Sequence, residues 1–218
     1  MLARPLRQIG AIHHRATSHS TCAGGATMAA RAKGLVQPLF EGPIDVVGDI
    51  HGEAGDFFHL LDMLGYDGHG SHPEGRRLVF VGDLVDRGPD SISVVKFVKH
   101  LHQAGRAQMV LGNHELNLLR GERKHGNSWF WGEPEVIRKD KGAVSFQVLA
   151  EEAFRKEALD WLASLPLALR RPDCRIVHAC WRDETIAELE TFDGNALEAY
   201  KHYTEAVEQA LESGGKLE

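Results

Sequence analysis

Val46-Val47-Gly48-Asp49, Phe80-Val81-Gly82-Asp83 and Val110-Leu111-Gly112-Asn113 repeat one design. Each is a pair of apolar residues, a glycine and a short side chain that carries oxygen. The runs at 44–47, 78–81 and 109–111 are rich in Val, Leu and Ile, which reads as buried strands. In an open α/β sheet, ligands collect at the carboxyl ends of the strands, so Asp49, Asp83 and Asn113 should meet in one crevice. The glycine before each of them lets the backbone turn sharply. A histidine accompanies two of the three: His51 lies two residues beyond Asp49, and His114 directly follows Asn113.

Between these runs the period changes from strand to helix. Phe57, Leu60, Leu61 and Leu64 fall at i, i+3, i+4 and i+7, with Gly65 as a stop. Pro89-Asp90-Ser91 opens a second helix with Val94, Phe97, Val98 and Leu101 on its buried face and Gly105 at its end. Strand, helix, strand in alternation predicts βαβ units and a sheet covered on both faces, an α/β fold. Residues 121–146, rich in Gly, Trp and charge, read as a long irregular insertion. A third helix carries Phe154, Leu159 and Leu162, and Ile176-Val177 reads as another strand. A last helix at about 194–212 should bury Leu197, Tyr200, Val207 and Leu211.

Charge is unevenly placed. Residues 1–40 hold Arg4, Arg7, Arg15, Arg31 and Lys33 and no acid, which leaves 20 Lys and Arg against 31 Asp and Glu in 41–218. The expected division is therefore a disordered or targeting tail over 1–40 and one domain over 41–218. The tail has no apolar core of a secretory signal. It reads as dispensable, with translation from Met28 as one form of that reading, ahead of an organellar targeting segment. An acidic body of this kind argues against nucleic acid as a partner, and the absence of any run of about 18 apolar residues argues against a membrane span. Cys22, Cys174 and Cys180 form no framework of paired spacings, and the cytoplasm is the expected compartment.

Two carboxylates, an amide oxygen and imidazoles gathered in one place would repel one another or go unsatisfied without a cation. A mixed nitrogen and oxygen set suits Mn, Fe or Zn better than Mg or Ca.

The motifs also resemble a known family. Gly48-Asp49-Ile50-His51-Gly52, Gly82-Asp83-Leu84-Val85-Asp86-Arg87-Gly88 and Gly112-Asn113-His114-Glu115 are similar to the three signature blocks of the phosphoprotein-phosphatase branch of the calcineurin-like metallophosphoesterases. Gly88-Pro89-Asp90-Ser91 and Val177-His178-Ala179-Cys180-Trp181 look like its bacterial members, which include symmetrical diadenosine tetraphosphatases and broad-specificity phosphatases. The resemblance runs from about residue 44 to about 185. It implies a layered α/β sandwich and two divalent metal ions, with manganese preferred. Asp49 and His51 would hold the first metal, Asp83 would bridge, and Asn113 and His178 would hold the second. Arg87 would grip phosphate oxygens, and His114, oriented by Asp86, would protonate the leaving group. The implied reaction is in-line attack on phosphorus by a hydroxide that the metal pair acidifies. The implied substrates are a phosphomonoester, a phosphoserine or phosphothreonine protein, or a dinucleoside polyphosphate.

The chain departs from the family pattern after His178. A further metal histidine, set in a Gly-His pair, is expected there, and the single histidine beyond His178 is His202, on the polar side of the last helix. A second phosphate arginine is expected from the same stretch; Arg182 is nearby, but nothing specifies it. The fold is therefore expected to lack its C-terminal strands. The rival reading is a truncated, catalytically weak metal-binding remnant that acts through binding. Other features weigh less. His114-Glu115 is no zinc-protease motif, because position 118 is Leu. Cys180 is expected to pack rather than react. Trp129, Phe130 and Trp131 could stack on a substrate base or cover the edge of the core.

Overall fold

The computed structural model describes residues 34–138 and 144–213. In chain order the elements are β1 (Val36–Pro38), β2 (Ile44–Val47), α1 (Ala54–Leu64), β3 (Arg77–Phe80), α2 (Ser91–Gln103), β4 (Ala107–Met109), α3 (Asn113–Leu119) and a 3-10 turn at Ser128–Trp131. Then come β5 (Val136–Arg138), β6 (Val144–Phe146), α4 (Glu152–Leu162), β7 (Ala168–Arg171), β8 (Cys174–Val177), α5 (Asp183–Thr191) and α6 (Ala196–Glu212).

β2, β3 and β4 lie side by side and parallel, with Val46 opposite Val79 and Val79 opposite Gln108. Parallel neighbours need a crossover, and α1 and α2 supply the two. Alternation along β3 sets the layers. Leu78 and Phe80 join the core with Phe57 and Leu61 of α1 and Val94 and Val98 of α2. Val79 points the other way, into a second cluster with Leu39, Val110, Leu169 and Ile176. That second cluster is floored by another sheet, in which β1 runs parallel to β7 and β7 antiparallel to β8. The result is the expected α/β sandwich. Burial of Leu78, Val79 and Phe80 contributes roughly 2 kcal/mol each by transfer from water.

The predicted helix boundaries have local causes. Gly65 adopts φ 87° and its N–H reaches Asp62 O, which ends α1. Asp90 caps α2 by accepting from the Ser93 N–H at 2.9 Å, a bond whose loss costs about 1 kcal/mol.

Several expectations need correction. Residues 34–40 belong to the body and not to a tail: Leu35 and Leu39 are buried, and β1 pairs with β7. The expectations for residues 1–33 lie outside the described residues. The insertion is not irregular throughout, since it holds the 3-10 turn and the β5–β6 hairpin. On α6, Ala196 and Ala199 are buried, whereas Val207 and Leu211 are 40 % and 49 % exposed. The helix runs past the body that covers its first turns, so an apolar period there does not become burial.

Candidate active site

The first two loops are zipped together by their backbones. After β2, the N–H groups of Ile50 and His51 both donate to Asp83 O, at 3.0 and 2.9 Å. The Gly52 N–H reaches Leu84 O at 2.8 Å, and the Gly88 N–H reaches His51 O at 2.7 Å. Such close approach requires glycine at particular points. A Cβ on Gly82 (φ 99°) would stand 2.5 Å from Gly112 Cα, and one on Gly112 would stand 2.4 Å from the Asp83 backbone nitrogen. Gly48 differs: a Cβ there meets nothing within 4 Å and its φ is not positive. The turn reasoning therefore holds for Gly82 alone, while Gly112, extended at φ -92°, is required by close approach. Among the described residues, four that are not glycine have left-handed backbones, His51 (48°), Asp83 (52°), Asp86 (74°) and Arg87 (63°). All four were singled out from the sequence, and such outliers gather at functional sites.

The side chains of Asp49, His51, Asp83, Asn113, His114 and His178 meet at the ends of β2, β3, β4 and β8. His178 Nε2 lies 2.8 Å from Asn113 Oδ1 and 3.5 Å from Asp83 Oδ1. His51 Nε2 lies 3.7 Å from Asp49 Oδ2 and 3.8 Å from Asp83 Oδ2. Asp83 is central and buried, with its side chain 6 % exposed against 51 % for Asp49. Two groupings have ligand atoms all within 4.8 Å of one another: Asp49, Asp83 and His178, and His51, Asp83 and His114. Asp83 belongs to both, but the groupings part Asp49 from His51, which the resemblance would set on one metal, and bring in His114.

The histidines are oriented as metal ligands need to be. His51 Nδ1 lies 3.1 Å from Val85 O, and His178 Nδ1 lies 2.8 Å from Val81 O. A carbonyl oxygen only accepts, so each Nδ1 carries its proton and each Nε2 presents a lone pair to the cluster. The donor set therefore fits divalent cations.

Beside this cluster sits an acid–base pair. His114 Nδ1 is 2.6 Å from Asp86 Oδ2, and Asp86 is fully buried. That hydrogen bond raises the His114 imidazole above its usual range, against the burial that lowers it. The Arg87 guanidinium spans the two sides, with Nη1 3.2 Å from His51 Nε2 and Nη2 3.2 Å from His114 Nε2.

Two residues named in the sequence, Glu115 and Trp129, have roles at the site that the sequence did not disclose. Glu115 is fully buried and its carboxylate accepts from the N–H groups of Asp83 (2.8 Å), Leu84 (2.8 Å) and Gly112 (3.1 Å). It clips the Asp83 loop to the Asn113 loop. Burial, and then the charge of Asp83, push it up to about 7, against the pull of the Asp83 and Leu84 N–H groups. Trp129 is buried too, and its indole N–H donates to Asp86 Oδ1 at 2.8 Å. Trp129 and Phe130 are each 1 % exposed, which removes both from any stacking on a base. The signal for Glu115 was its place in the Gly112-Asn113-His114-Glu115 block, to which the resemblance gave it no role.

Other candidates lie elsewhere. His202 is exposed, with its ring against Phe192 and Tyr203. Arg182 is exposed at the start of α5. Cys180 is exposed rather than packed, and Cys174 packs against the second apolar cluster.

The fold and this donor set define a divalent-cation site on an α/β sandwich. The chain belongs to the calcineurin-like phosphoesterase family, whose sequence profile matches residues 42–208. It is 41 % identical over 135 residues to a symmetrical bis(5'-nucleosyl)-tetraphosphatase of Aeromonas hydrophila, covering 61 % of this chain and 42 % of that protein. It is 46 % identical over 79 residues to an asymmetrical bis(5'-nucleosyl)-tetraphosphatase of Halalkalibacterium halodurans, covering 35 % and 32 %. The chain thus spans less than half the length of these curated relatives. Its fold is similar to that of a protein serine/threonine phosphatase of Saccharomyces cerevisiae, with a TM-score of 0.51 at 20 % identity over 75 % of this chain and 48 % of that one. Among the described residues no helix is long and apolar enough to cross a membrane.

Proposed function

We propose that this chain is a metal-dependent phosphoester hydrolase of the cytoplasm that uses two divalent cations, manganese preferred. Of the three substrate classes, the dinucleoside polyphosphate is favoured, because relatives 41 % and 46 % identical over part of the chain are named bis(5'-nucleosyl)-tetraphosphatases. A phosphomonoester or a phosphoprotein is the broader alternative. The observation that carries the reading is the convergence of Asp49, His51, Asp83, Asn113 and His178, with the Nδ1 of His51 and of His178 tied to a backbone carbonyl.

Cations bound there would supply Lewis-acid charge and a nucleophile at neutral pH. Arg87 offers a planar fork matched to phosphate oxygens. Once Arg87, whose Nη2 stands 3.2 Å from His114 Nε2, turns to phosphate, His114 would hold a proton at that nitrogen for the departing oxygen, with Asp86 stabilising the imidazolium. Turnover of p-nitrophenyl phosphate and of diadenosine tetraphosphate with added manganese, abolished by Asp83→Asn, is the expected result. The rival remnant reading draws on the position of His202, away from the site. Turnover no faster than buffer for the full chain favours it.

A further inference from the structure

We propose that Trp129 is a positioning residue for the acid–base pair, acting through Asp86; the inference rests on His114 as the leaving-group acid. Asp86 uses its two carboxylate oxygens on two different partners. Oδ2 meets His114 Nδ1 at 2.6 Å, and Oδ1 accepts the Trp129 indole N–H at 2.8 Å. The Asp86 backbone N–H is fixed separately, by Ser91 Oγ at 3.0 Å. A carboxylate held at one oxygen can rotate about its Cβ–Cγ bond, whereas one held at both cannot. The indole therefore sets the plane of Asp86 and, through it, the plane of the His114 ring.

The segment that delivers Trp129 is built to hold still. The Glu135 carboxylate accepts from the N–H groups of Gly126 (3.0 Å) and Ser128 (3.3 Å). Asn127, fully buried, donates to Glu122 O at 2.9 Å and accepts from the Lys124 N–H at 2.9 Å. Trp129 sits on the 3-10 turn that follows, and its carbonyl accepts from the Ala150 N–H at 2.9 Å. The same segment reaches the phosphate arm: Gly126 O accepts from the Arg87 N–H at 3.0 Å and from Gln147 Nε2 at 3.0 Å. One brace thus touches the acid pair through Trp129 and the Arg87 loop through Gly126.

Trp129→Phe removes the N–H and keeps an aromatic ring. A misplaced acid harms the departure of a basic leaving group and spares an acidic one. Turnover of phenyl phosphate should therefore fall about tenfold or more relative to p-nitrophenyl phosphate. In the metal-free full chain, the downfield proton resonance of His114 Nδ1–H should shift or broaden. Benzothienylalanine at position 129 keeps the indole shape with sulfur in place of N–H, and it should reproduce both effects if the phenylalanine variant does not fold. Equal losses on the two esters, no loss on either, or an unchanged resonance overturns the proposal. A wild-type chain that hydrolyses neither ester refutes the hydrolase reading instead, and the resonance alone then decides whether Trp129 holds the pair.

Discussion

The backbone N–H of Asp83 donates to the Glu115 carboxylate at 2.8 Å, 32 residues along the chain and wholly shielded from water. The other oxygen of Glu115 takes the N–H of Leu84, so one side chain fixes the left-handed turn that presents Asp83. Partners one step behind a metal ligand typically change affinity by about 10–100-fold. Glu115→Gln should weaken manganese binding by about that factor, because the new amide turns N–H toward a backbone N–H. Isothermal titration of the metal-free protein measures it.

His178 and Asn113 carry the second cation in the proposed scheme. His178→Ala should reduce bound manganese from two ions to one per chain and lower turnover by about a hundredfold or more. Elemental analysis after gel filtration reads the stoichiometry independently of activity.

The glycines of the three motifs are not equivalent. Gly82→Ala places a Cβ 2.5 Å from Gly112 Cα at φ 99°, and it should destabilise the fold by about 2 kcal/mol or more while removing activity. Gly48→Ala meets nothing within 4 Å and should leave the melting temperature nearly unchanged. Thermal unfolding of the two variants side by side tests the contrast.

Asp45 on β2 accepts from Arg76, with Nε at 2.7 Å, and from the Tyr66 hydroxyl at 2.7 Å. The Arg76 hydrogen bond holds the Asp45 carboxyl below its ordinary value. A depressed folded-state pKa gives stability that is present above the unfolded value, near 3.9, and is lost as pH falls through the folded one. Asp45→Asn should therefore destabilise the protein at pH 7 and progressively less below about pH 4. Urea unfolding at a series of pH values should show the two proteins converging on the acid side; a constant difference would count against the assignment.

Much of this arrangement was legible in the chain because short-range rules govern it. Strands β2 and β3, α1 with its Gly65 stop and α2 with its Asp90 cap follow from apolar period and end signals, which act within a few residues. Asp49, Asp83 and Asn113 were readable because a parallel sheet delivers its strand ends to one side. What escaped depended on contacts across long separations. Glu115 and Trp129 act on Asp83 and Asp86 from 32 and 43 residues away, and no local pattern encodes such pairing. Val207 and Leu211 misled for the opposite reason, since their helical period is real but the described body leaves them 40 % and 49 % exposed.

Four left-handed backbones at His51, Asp83, Asp86 and Arg87 bear on how such a chain ages. Glycine would relieve the backbone at each of those places, but at Asp83 and Asp86 it would also strip buried hydrogen bonds. The exposed Arg87 is therefore where a lineage freed from chemistry would gain durability by drifting toward glycine. Side chains that keep their seats in unfavourable geometry are the imprint of use, and Arg87→Gly should yield a sturdier but idle protein.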